Sequence, residues 1–372
     1  MTRPLRLVLD ARYVRLDHHD GISRYSAGLA EGLARIAEDT SRVSVELMVC
    51  DPAQARRLPD LPWFRGPEPV SVREALTGQV LNRRGPDVVF SPMQTMGAFR
   101  RRFGLVLTLH DLIYYDHPTP PPDLPAPVRA GWRAFHRARW PQRLALNRAD
   151  AVATVSQTSA GLIRDKGLTD RPVHVIPNAA AQDTVLRPEQ AMDRLGTRGD
   201  HLLYIGSFMP YKDVETLARL AERLPGHALH LASRITSAQR ERLEAAAGPD
   251  ARLVFHDGVS EDEHRELLAT AGALVHASRA EGYGLPLMEA CCAGTPVVCT
   301  DIPIFHEVCG DAAAYCPVGD DAAFAQAVRD LTDPALARRR VLAGLERARA
   351  WTWRDSAEEL VALAERIAAG RR

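Results

Sequence analysis

The sequence of 372 residues contains few cysteines, at positions 50, 291, 292, 299, 309 and 316. The six cysteines include no C-x-x-C, and five of them fall in the second half of the chain, on elements expected to be buried. A metal site needs tighter ligand spacing than this. The cysteines are therefore predicted to be buried free thiols in a reducing compartment.

Long hydrophobic runs are also absent. No segment approaches the ~18 consecutive apolar residues of a membrane span. The first residues lead directly into a short predicted strand rather than into the apolar core of a signal peptide. We expect a cytoplasmic protein, soluble or peripherally bound at the inner face of the plasma membrane.

Two common binding motifs are missing as well. No G-x-G-x-x-G follows the first predicted strand, which argues against an NAD-dependent dehydrogenase. No D-x-D stands at the end of a predicted strand, so the sequence predicts no metal ion and no resident cofactor.

What the sequence does contain is a regular alternation of strands and helices, which predicts parallel sheets covered by helices on both faces. The expected strands lie at 5–9, 43–49, 87–91, 105–109, 151–155, 173–176, 202–205, 228–232, 252–255 and 273–276, and the expected helices at 21–36, 157–165, 213–224, 237–247, 261–270 and 355–369. Two such series, joined near 178–200, indicate an α/β chain of two doubly wound, Rossmann-like domains. Their ligand is expected at the carboxyl ends of the strands, in the cleft between the domains. The proline-rich segment 117–127 predicts a stiff, extended loop.

Charge is balanced overall but divided unevenly. Residues 1–180 carry 25 Lys+Arg and 18 Asp+Glu, a balance of +7, which leaves 22 and 29 for residues 181–372, a balance of −7. Arginines and aromatic residues mix in one predicted helical segment: Arg129, Trp132, Arg133, Phe135, Arg137, Arg139, Trp140 and Arg143. This mixture suits anionic lipid headgroups, although an ordinary solvated face has the same composition. No nucleic-acid module is recognisable, so no nucleic-acid partner is expected.

The most informative segment is Glu281-Gly-Tyr-Gly-Leu-Pro-Leu-Met-Glu289. Its two glycines let backbone N–H groups approach a ligand closely, and Pro286 suits the first turn of a helix. A helix is expected over 287–293, and its N-terminal N–H groups and positive dipole end would face an anion. The segment therefore predicts a site for a phosphate-bearing ligand that carries hydroxyl groups at both ends.

This segment resembles the acidic signature of retaining family 4 glycosyltransferases, E-x7-E with a G-[FY]-G-L-P turn inside, and the similarity extends over nearly the whole chain. The resemblance implies the GT-B architecture, in which two Rossmann-like domains face a central cleft. The acceptor-side domain would be 1–180, completed by the terminal helix 352–372, and the donor-side domain would be 181–351. In that family the first glutamate and the loop amides hold the donor's sugar and phosphate, and the second holds the ribose hydroxyls. The resemblance assigns these roles to Glu281 and Glu289.

Lys212 is the second residue on which the resemblance depends. It ends the sequence G-S-F-M-P-Y-K, after the first predicted strand of the second domain, where a lysine can meet a diphosphate as a compact charge. The family often has an arginine at the position of Ser207 or Tyr211. One cationic contact with the phosphates is therefore missing, and Arg279 and Arg24 are the candidates to replace it.

His110 and Asp111 end the predicted strand 105–109 and would face the cleft. In the family a histidine here contacts the donor sugar and the reaction centre, while the leaving phosphate oxygen is thought to take the acceptor's proton, so that the protein supplies positioning and electrostatics. A buried His110 held by Asp111 is compatible with that role. The resemblance thus implies the catalytic residues His110, Lys212 and Glu281. Besides Asp111 and Glu289, the predicted donor-binding residues are Gly21, Asn178, Gly206, Ser207, Arg234, Val259, Gly282, Tyr283, Gly284 and Leu285.

These features together predict a retaining hexosyltransferase that works without a metal ion. Its donor would be a GDP- or UDP-linked sugar, with mannose as the first choice, and its acceptor a glycan, a lipid or a small molecule. Two alternatives stay open. One is a nucleotide-sugar epimerase or phosphorylase on the same scaffold, and the other is a non-catalytic sugar- or lipid-binding partner in polysaccharide assembly.

Overall fold

The computed structural model of this chain describes residues 3–16, 20–69, 71–120 and 126–371. The chain divides into two compact units. Unit 1 holds the residues up to Ala179 together with the chain from Thr352 onward, and unit 2 is Ala180–Trp351. The first junction lies one residue before the end of the first domain expected from the sequence, residue 180.

Unit 1 is built on a parallel sheet whose described strands have the order β3-β2-β1-β4-β5-β6-β7. The strands are β1 (Leu5–Asp10), β2 (Val43–Val49), β3 (Trp63–Arg65), β4 (Val88–Ser91), β5 (Gly104–Thr108), β6 (Ala151–Thr154) and β7 (Val173–Val175). Every residue of β4, β5 and β6 is buried, as expected for strands that carry apolar side chains on both faces. The prediction of a doubly wound parallel sheet is confirmed for this unit.

Helices cover both faces of this sheet. They are α1 (Gly21–Asp39), α2 (Pro52–Ala55), α3 (Thr77–Arg84), α4 (Ile113–Asp116), α5 (Ala126–Arg137), α6 (Arg139–Leu146) and α7 (Gln157–Asp165). α1 begins where the Asp20 carboxylate accepts a hydrogen bond from the Ser23 N–H at 2.8 Å, which is an N-cap. Of the proline-rich segment, residues 121–125 lie outside the described residues. The prediction of a loop is wrong at its end, because Ala126 already belongs to α5.

Unit 2 repeats the scheme with the strand order β10-β9-β8-β11-β12-β13. Its strands are β8 (His201–Tyr204), β9 (Ala228–Leu231), β10 (Arg252–Phe255), β11 (Ala273–His276), β12 (Val297–Thr300) and β13 (Ala313–Cys316). Its helices are α8 (Pro188–Leu195), α9 (Val214–Glu222), α10 (Ser237–Ala246), α11 (Glu261–Thr270), α12 (Leu285–Cys292), α13 (Pro303–Cys309), α14 (Asp321–Asp330) and α15 (Pro334–Arg349). The five cysteines of this unit are free and buried, which confirms the prediction of buried thiols.

The last helix, α16 (Trp353–Gly370), returns the chain to unit 1 and packs against α1. Trp353 lies edge-on to Tyr25 of α1, with ring centroids 6.0 Å apart. Two glycines of α1 make room for it: a Cβ added at Gly28 would lie 2.1 Å from the Trp353 ring, and one at Gly32 would lie 2.2 Å from the Trp353 carbonyl oxygen. Within the described ranges, none of the helices is both long and apolar enough to cross a bilayer.

The close contact between α1 and α16 makes Gly28 intolerant of a side chain. We expect Gly28→Ala to lower the free energy of unfolding by about 2 kcal/mol, because an overpacked buried contact forces the two helices apart. Gly161→Ala on α7 is the matched control, since a Cβ there has no neighbour within 4 Å. It should leave stability unchanged or raise it by up to about 1 kcal/mol. Urea unfolding measures both, and equal midpoints for the two variants would contradict the packing argument.

Candidate functional site

The topology of unit 2 brings Lys212 and Glu281 to one place. The strand order reverses between β8 and β11, and open α/β sheets bind ligands at the carboxyl ends of the strands where such a reversal occurs. Lys212 lies in the 3₁₀ turn that follows β8, and Glu281 lies in the loop that follows β11. The two residues, 69 positions apart in sequence, therefore meet at the same sheet edge.

The two side chains form an ion pair. Lys212 Nζ contacts Glu281 Oε1, and the Ser278 hydroxyl donates a hydrogen bond to the same oxygen at 2.8 Å. The pair is mostly buried, with 13% of the Lys212 side chain and 10% of the Glu281 side chain exposed. Burial raises the pKa of Glu281, but the Lys212 ammonium and the hydrogen bonds outweigh burial and hold that pKa below its usual value. Glu281 is therefore an ionised carboxylate at neutral pH.

A second cation lies beside this pair. Asp213, which follows Lys212, has the left-handed backbone conformation with φ of 49°. Its carboxylate accepts hydrogen bonds from Arg279 Nη2 at 3.0 Å and from Nε at 3.2 Å. The Arg279 backbone N–H donates to the Tyr211 carbonyl at 2.8 Å. Since 47% of the Arg279 side chain is exposed, a guanidinium stands at the surface next to the lysine, whereas Arg24, the other candidate, lies on α1 of unit 1.

The glycine loop leads into α12 as expected, but the helix starts earlier. It begins at Leu285 rather than at residue 287, with Pro286 in its first turn. Gly284 is the N-cap residue and has φ of 110°, a conformation that favours glycine. A Cβ there would also lie 3.2 Å from the Phe305 ring. Gly282, Tyr283 and Leu285, predicted to bind the sugar donor, thus form the loop and the first residue of this helix.

Glu289 lies on α12 and not in the loop. Its Oε2 is 3.3 Å from His264 Nε2 of α11. The Glu289 side chain is 25% exposed, but its Oε2 is buried. Glu281 and Glu289 therefore stand on either side of the N-terminus of α12, one before it and one in its second turn.

Other predicted donor-binding residues of unit 2 follow neighbouring strands at the same edge. After β8, the Gly206 N–H donates to the Ser233 hydroxyl at 3.1 Å, and the Ser207 carbonyl accepts from the Tyr204 hydroxyl at 2.6 Å. Arg234 follows β9 and is exposed. A Cβ on Gly258, just before Val259 and after β10, would lie 3.0 Å from the Arg234 side chain. The structure thus brings Arg234 and the loop carrying Val259 together.

His110 of unit 1 lies at the carboxyl end of β5, but its partner is not Asp111. His110 Nε2 and the Pro92 carbonyl oxygen are 2.8 Å apart. Because a carbonyl can only accept, Nε2 carries the proton, and burial lowers the pKa of the ring, so the imidazole is neutral. Asp111 instead accepts a hydrogen bond from the Ile113 N–H at 3.0 Å. The pairing of His110 with Asp111, which the sequence left open as an alternative, is therefore not formed.

Gly21 and Asn178 also belong to unit 1. Gly21 is the first residue of α1. Asn178 is buried in the turn after β7, where the preceding carbonyls are held by hydrogen bonds. The Tyr25 hydroxyl donates to the Ile176 carbonyl at 3.1 Å, and the Ser356 hydroxyl donates to the Pro177 carbonyl at 2.7 Å. The turn is thus fixed against α1 and α16.

Two family models match this chain in succession. One, described as Glycosyltransferase Family 4, matches residues 19–181. The other, described as Glycosyl transferases group 1, matches residues 199–333. The chain belongs to the group 1, family 4 glycosyltransferases.

Relatives of this glycosyltransferase among characterised proteins include several mannosyltransferases. It is 26% identical to an MMP alpha-(1->4)-mannosyltransferase of Mycolicibacterium hassiacum, over 82% of this chain and 77% of that protein. It is 38% identical to the O-antigen chain mannosyltransferase RfbU of Salmonella typhimurium over 22% of this chain and 23% of the relative, and 27% identical to the O-antigen chain mannosyltransferase B of Escherichia coli over 43% and 44%. The chain thus spans less than half the length of these last two relatives.

Solved structures share the fold of the glycosyltransferase over its whole length. Sucrose-phosphate synthase of Thermosynechococcus elongatus superposes with a TM-score of 0.73 at 20% identity, covering 98% of this chain and all of that one. Anabaena HepE in complex with UDP and glucose superposes with a TM-score of 0.67 at 15% identity, covering 97% and 99%. The lipopolysaccharide glycosyltransferase WaaG matches with a TM-score of 0.63 at 16% identity, covering 96% and 99%. The predicted GT-B fold is confirmed.

Three residues at this site were not predicted from the sequence. Ser278 hydrogen-bonds Glu281, Asp213 binds Arg279, and His276 lies 3.8 Å from Glu281. The available signal was weak: His276 is a polar residue at the end of an otherwise apolar strand, and Ser278 precedes Glu281 by three positions. Neither pattern distinguishes a site residue from an ordinary strand end.

The buried ion pair predicts a specific pH dependence for Lys212→Met. We expect this variant to lose about 3 kcal/mol of unfolding free energy at pH 7, since an unpaired buried carboxylate remains. In the wild type, the contribution of Glu281 is present above its unfolded pKa and is lost as the pH falls through the lower pKa of the folded state. Without Lys212, burial raises the pKa of Glu281 in the folded variant, so its deficit should shrink as the pH falls and should be smallest below the depressed folded pKa of the wild type.

Lys166→Met is the control for this experiment, because Lys166 is the only other lysine and pairs with the half-exposed Asp116 at 2.6 Å. A surface pair of this kind contributes less than about 1 kcal/mol. Denaturant unfolding at pH 4 to 7 measures both variants, and adding Glu281→Gln to Lys212→Met should restore most of the loss. Equal effects of the two lysine changes would refute the buried pair.

Proposed function

We propose that this glycosyltransferase transfers a hexose from a nucleoside diphosphate sugar, with mannose as the first choice of hexose. The transfer would retain the anomeric configuration and would need no metal ion. The observation that carries the proposal is the Lys212–Glu281 pair at the strand reversal of unit 2, directly before the N-terminus of α12. A cation, an ionised carboxylate and a helix N-terminus together suit a ligand that has both phosphates and hydroxyl groups.

Each part of the sugar donor has a partner in this arrangement. The diphosphate would bind Lys212, Arg279 and the N–H groups of the glycine loop, so that these cations and dipoles neutralise the charge that grows on the leaving group. Glu281 would accept hydrogen bonds from hydroxyls of the sugar, and Glu289 from hydroxyls of the ribose. Arg279 would supply the cationic contact that the family pattern places at Ser207 or Tyr211.

Retention of configuration is proposed because neither Glu281 nor His110 is placed as a general base. Glu281 already holds Lys212 and Ser278, which suits positioning of the sugar. His110 is neutral, and its Nε2 is committed to the Pro92 carbonyl, which leaves Nδ1 as an acceptor for a sugar hydroxyl. The leaving phosphate oxygen would then take the acceptor's proton on the face from which it departs. NMR of the first-formed product identifies its anomer, and inversion would overturn this mechanism.

Mannose is supported by the relatives, several of which are named mannosyltransferases. The acceptor would be a glycan or a lipid-linked glycan, in keeping with relatives named for O-antigen chains and for phosphatidyl-myo-inositol. The base of the nucleotide is less constrained, because the solved HepE structure of the same fold holds UDP and glucose. GDP is proposed first because mannose is the proposed sugar.

Calorimetry with GDP, GDP-mannose, UDP, UDP-glucose and UDP-N-acetylglucosamine tests which nucleotide and which nucleotide sugar the protein binds. We expect one nucleotide family to bind in the presence of a metal chelator. Lys212→Ala and Glu289→Ala should each weaken binding at least tenfold, since each removes a charged or bidentate contact of roughly 1.4 kcal/mol or more. Arg279→Ala should weaken it about fivefold.

Lys166→Ala serves as the control for the lysine change and should bind as the wild type does. Binding that requires an added divalent metal would overturn the metal-free mechanism. Absence of binding to every nucleotide would favour the non-catalytic partner in polysaccharide assembly. Hydrolysis or epimerisation of the nucleotide sugar in the absence of an acceptor would favour the epimerase or phosphorylase alternative.

A membrane-facing role is proposed for the surface of α5 and α6. Val128, Trp140 and Leu144 are exposed apolar residues on these helices, and Arg133 and Arg137 are exposed beside them. Apolar insertion and charge attraction add at an anionic bilayer surface. Two of the arginines and aromatic residues predicted for this surface make contacts within the protein instead. The Trp132 ring packs edge-on against the Tyr114 ring, with centroids 4.8 Å apart, and Arg143 pairs with Asp170.

This surface should bind anionic vesicles. We expect the protein to sediment with vesicles of phosphatidylglycerol and phosphatidylcholine, and not with phosphatidylcholine alone. Replacing both Trp140 and Leu144 by Ser should reduce binding at least tenfold, because each apolar side chain inserted adds favourable transfer free energy. Exposed Phe99, which lies outside α5 and α6, provides the control change Phe99→Ser. An equal loss in the control variant would contradict a site on α5 and α6.

A further inference from the structure

His276 is a buried histidine at the edge of the candidate site. It is the last residue of β11 and is 1% exposed. Its ring lies between the rings of Tyr204 and Phe305, each with its centroid 5.5 Å away. Within the described part of the chain, neither ring nitrogen has a hydrogen-bond partner. Such a group is costly to bury, so its position calls for a physical reason.

The ring is directed at the carboxylate of the candidate site. His276 Nε2 lies 3.8 Å from Glu281 Oε1, the oxygen that Lys212 and Ser278 already contact. That separation is about 1 Å longer than a hydrogen bond. Lys212 contacts Glu281 Oε1 directly, and the His276 ring is the next group beyond hydrogen-bond distance of the same oxygen.

Binding of a sugar donor would change which groups contact Glu281 Oε1. Under the proposed function Lys212 binds the diphosphate, and an ammonium that serves two phosphates can no longer serve Glu281 fully. Glu281 would then keep the Ser278 hydroxyl alone. A buried carboxylate that loses its cation is strongly destabilised unless another donor replaces it.

We propose that His276 is a positioning residue that takes over Glu281 when Lys212 turns to the phosphates, by donating its Nε2–H to Glu281 Oε1. This inference rests on the proposed function. It requires a ring movement of about 1 Å and no change of charge. Glu281 would stay ionised, with one oxygen held by Ser278 and His276 and the other available to hydroxyls of the sugar.

A neutral imidazole suits this role better than a charged one. Burial lowers the pKa of His276 to about 4, the nearby Glu281 carboxylate opposes that effect, and Lys212 adds to it. The titratable groups around the ring are Lys212 from the turn after β8, Tyr204 from β8 itself and Glu281. Above pH 5 the ring therefore supplies an N–H without cancelling the charge of the carboxylate.

Proton uptake on nucleotide binding tests the inference. We would titrate wild type, His276→Phe and His276→Gln with GDP and with GDP-mannose at pH 6, in buffers of different ionisation enthalpy. Without the imidazole, loss of Lys212 to the phosphates raises the pKa of Glu281, so His276→Phe should take up more protons than the wild type on binding either ligand. The additional uptake should vanish towards pH 8. His276→Gln, whose amide N–H can reach the same oxygen, should return uptake to the wild-type value.

Affinity gives the second readout. His276→Phe should bind GDP within about threefold of the wild type but should bind GDP-mannose about tenfold more weakly, because only the sugar depends on Glu281. His227→Phe is the matched control: this half-buried histidine precedes β9, at the opposite edge of the sheet, and should change neither quantity. Should the wild type bind UDP and its sugars instead, those ligands are used.

NMR of the wild type avoids any change at residue 276. On saturation with GDP, the His276 Nε2–H resonance should move downfield and become protected from exchange. Equal proton uptake in all variants, together with an unmoved resonance, would overturn the inference while leaving nucleotide binding intact. Absence of nucleotide binding by the wild type would instead overturn the proposed function, and this inference with it.

Discussion

Parallel strands must bury both of their faces, and this constraint determines where chemistry can occur in this chain. Helices cover the two faces of each sheet, so that the polar connections emerge only at the sheet edges. In unit 2 the loops after β8, β9, β10 and β11 all emerge at the carboxyl edge. The reversal of strand order between β8 and β11 separates two of these loops and leaves a crevice. Lys212 and Glu281 come from the loops on either side of that reversal, and their side chains meet there.

The electrostatics of the site follow from this placement. A carboxylate at the edge of a buried sheet loses most of its solvent, and burial alone would raise its pKa. Lys212 and Ser278 reverse that tendency at Glu281. Arg279 is directed by Asp213 rather than by Glu281, so the two cations are held by different carboxylates. Arg279 nevertheless bonds both neighbours of Lys212, through the Tyr211 carbonyl and the Asp213 carboxylate, which keeps the two cations next to each other.

Most of the fold could be predicted from the sequence because its strands are short apolar runs and its helices are amphipathic. The pattern located β8 to β11 within two residues. The three-residue β3 was missed because it is an edge strand with an exposed Trp63, which leaves little periodicity to detect. The start of α12 was placed too late because Leu285 and Pro286 read as part of the glycine turn, although Gly284 already caps the helix.

Side-chain partners were harder to predict than elements. Asp111 is adjacent to His110 in sequence, yet the ring bonds the carbonyl of Pro92, the residue that follows the neighbouring strand β4. Likewise, the contact of His276 with the Glu281 loop depends on the course of that loop after β11. A linear pattern identifies which residues reach an edge, but the partner of each depends on the loop conformations there. Contacts between the ends of different strands require coordinates for that reason.

A lysine at position 212 agrees with the proposal that this cation moves from Glu281 to the phosphates of the sugar donor. The chain has 45 arginines and only two lysines, so a guanidinium is the ordinary cation of this protein. An arginine facing Glu281 would bind the carboxylate through two parallel hydrogen bonds, a geometry that resists separation. An ammonium is a compact charge on a flexible stem, and it can leave one oxygen for another without a fixed orientation. If Lys212 passes from Glu281 to a phosphate, as proposed, a lysine therefore suits that position better than an arginine. Glu281 would then need a neutral hydrogen-bond donor in place of the ammonium, which is the role proposed for His276.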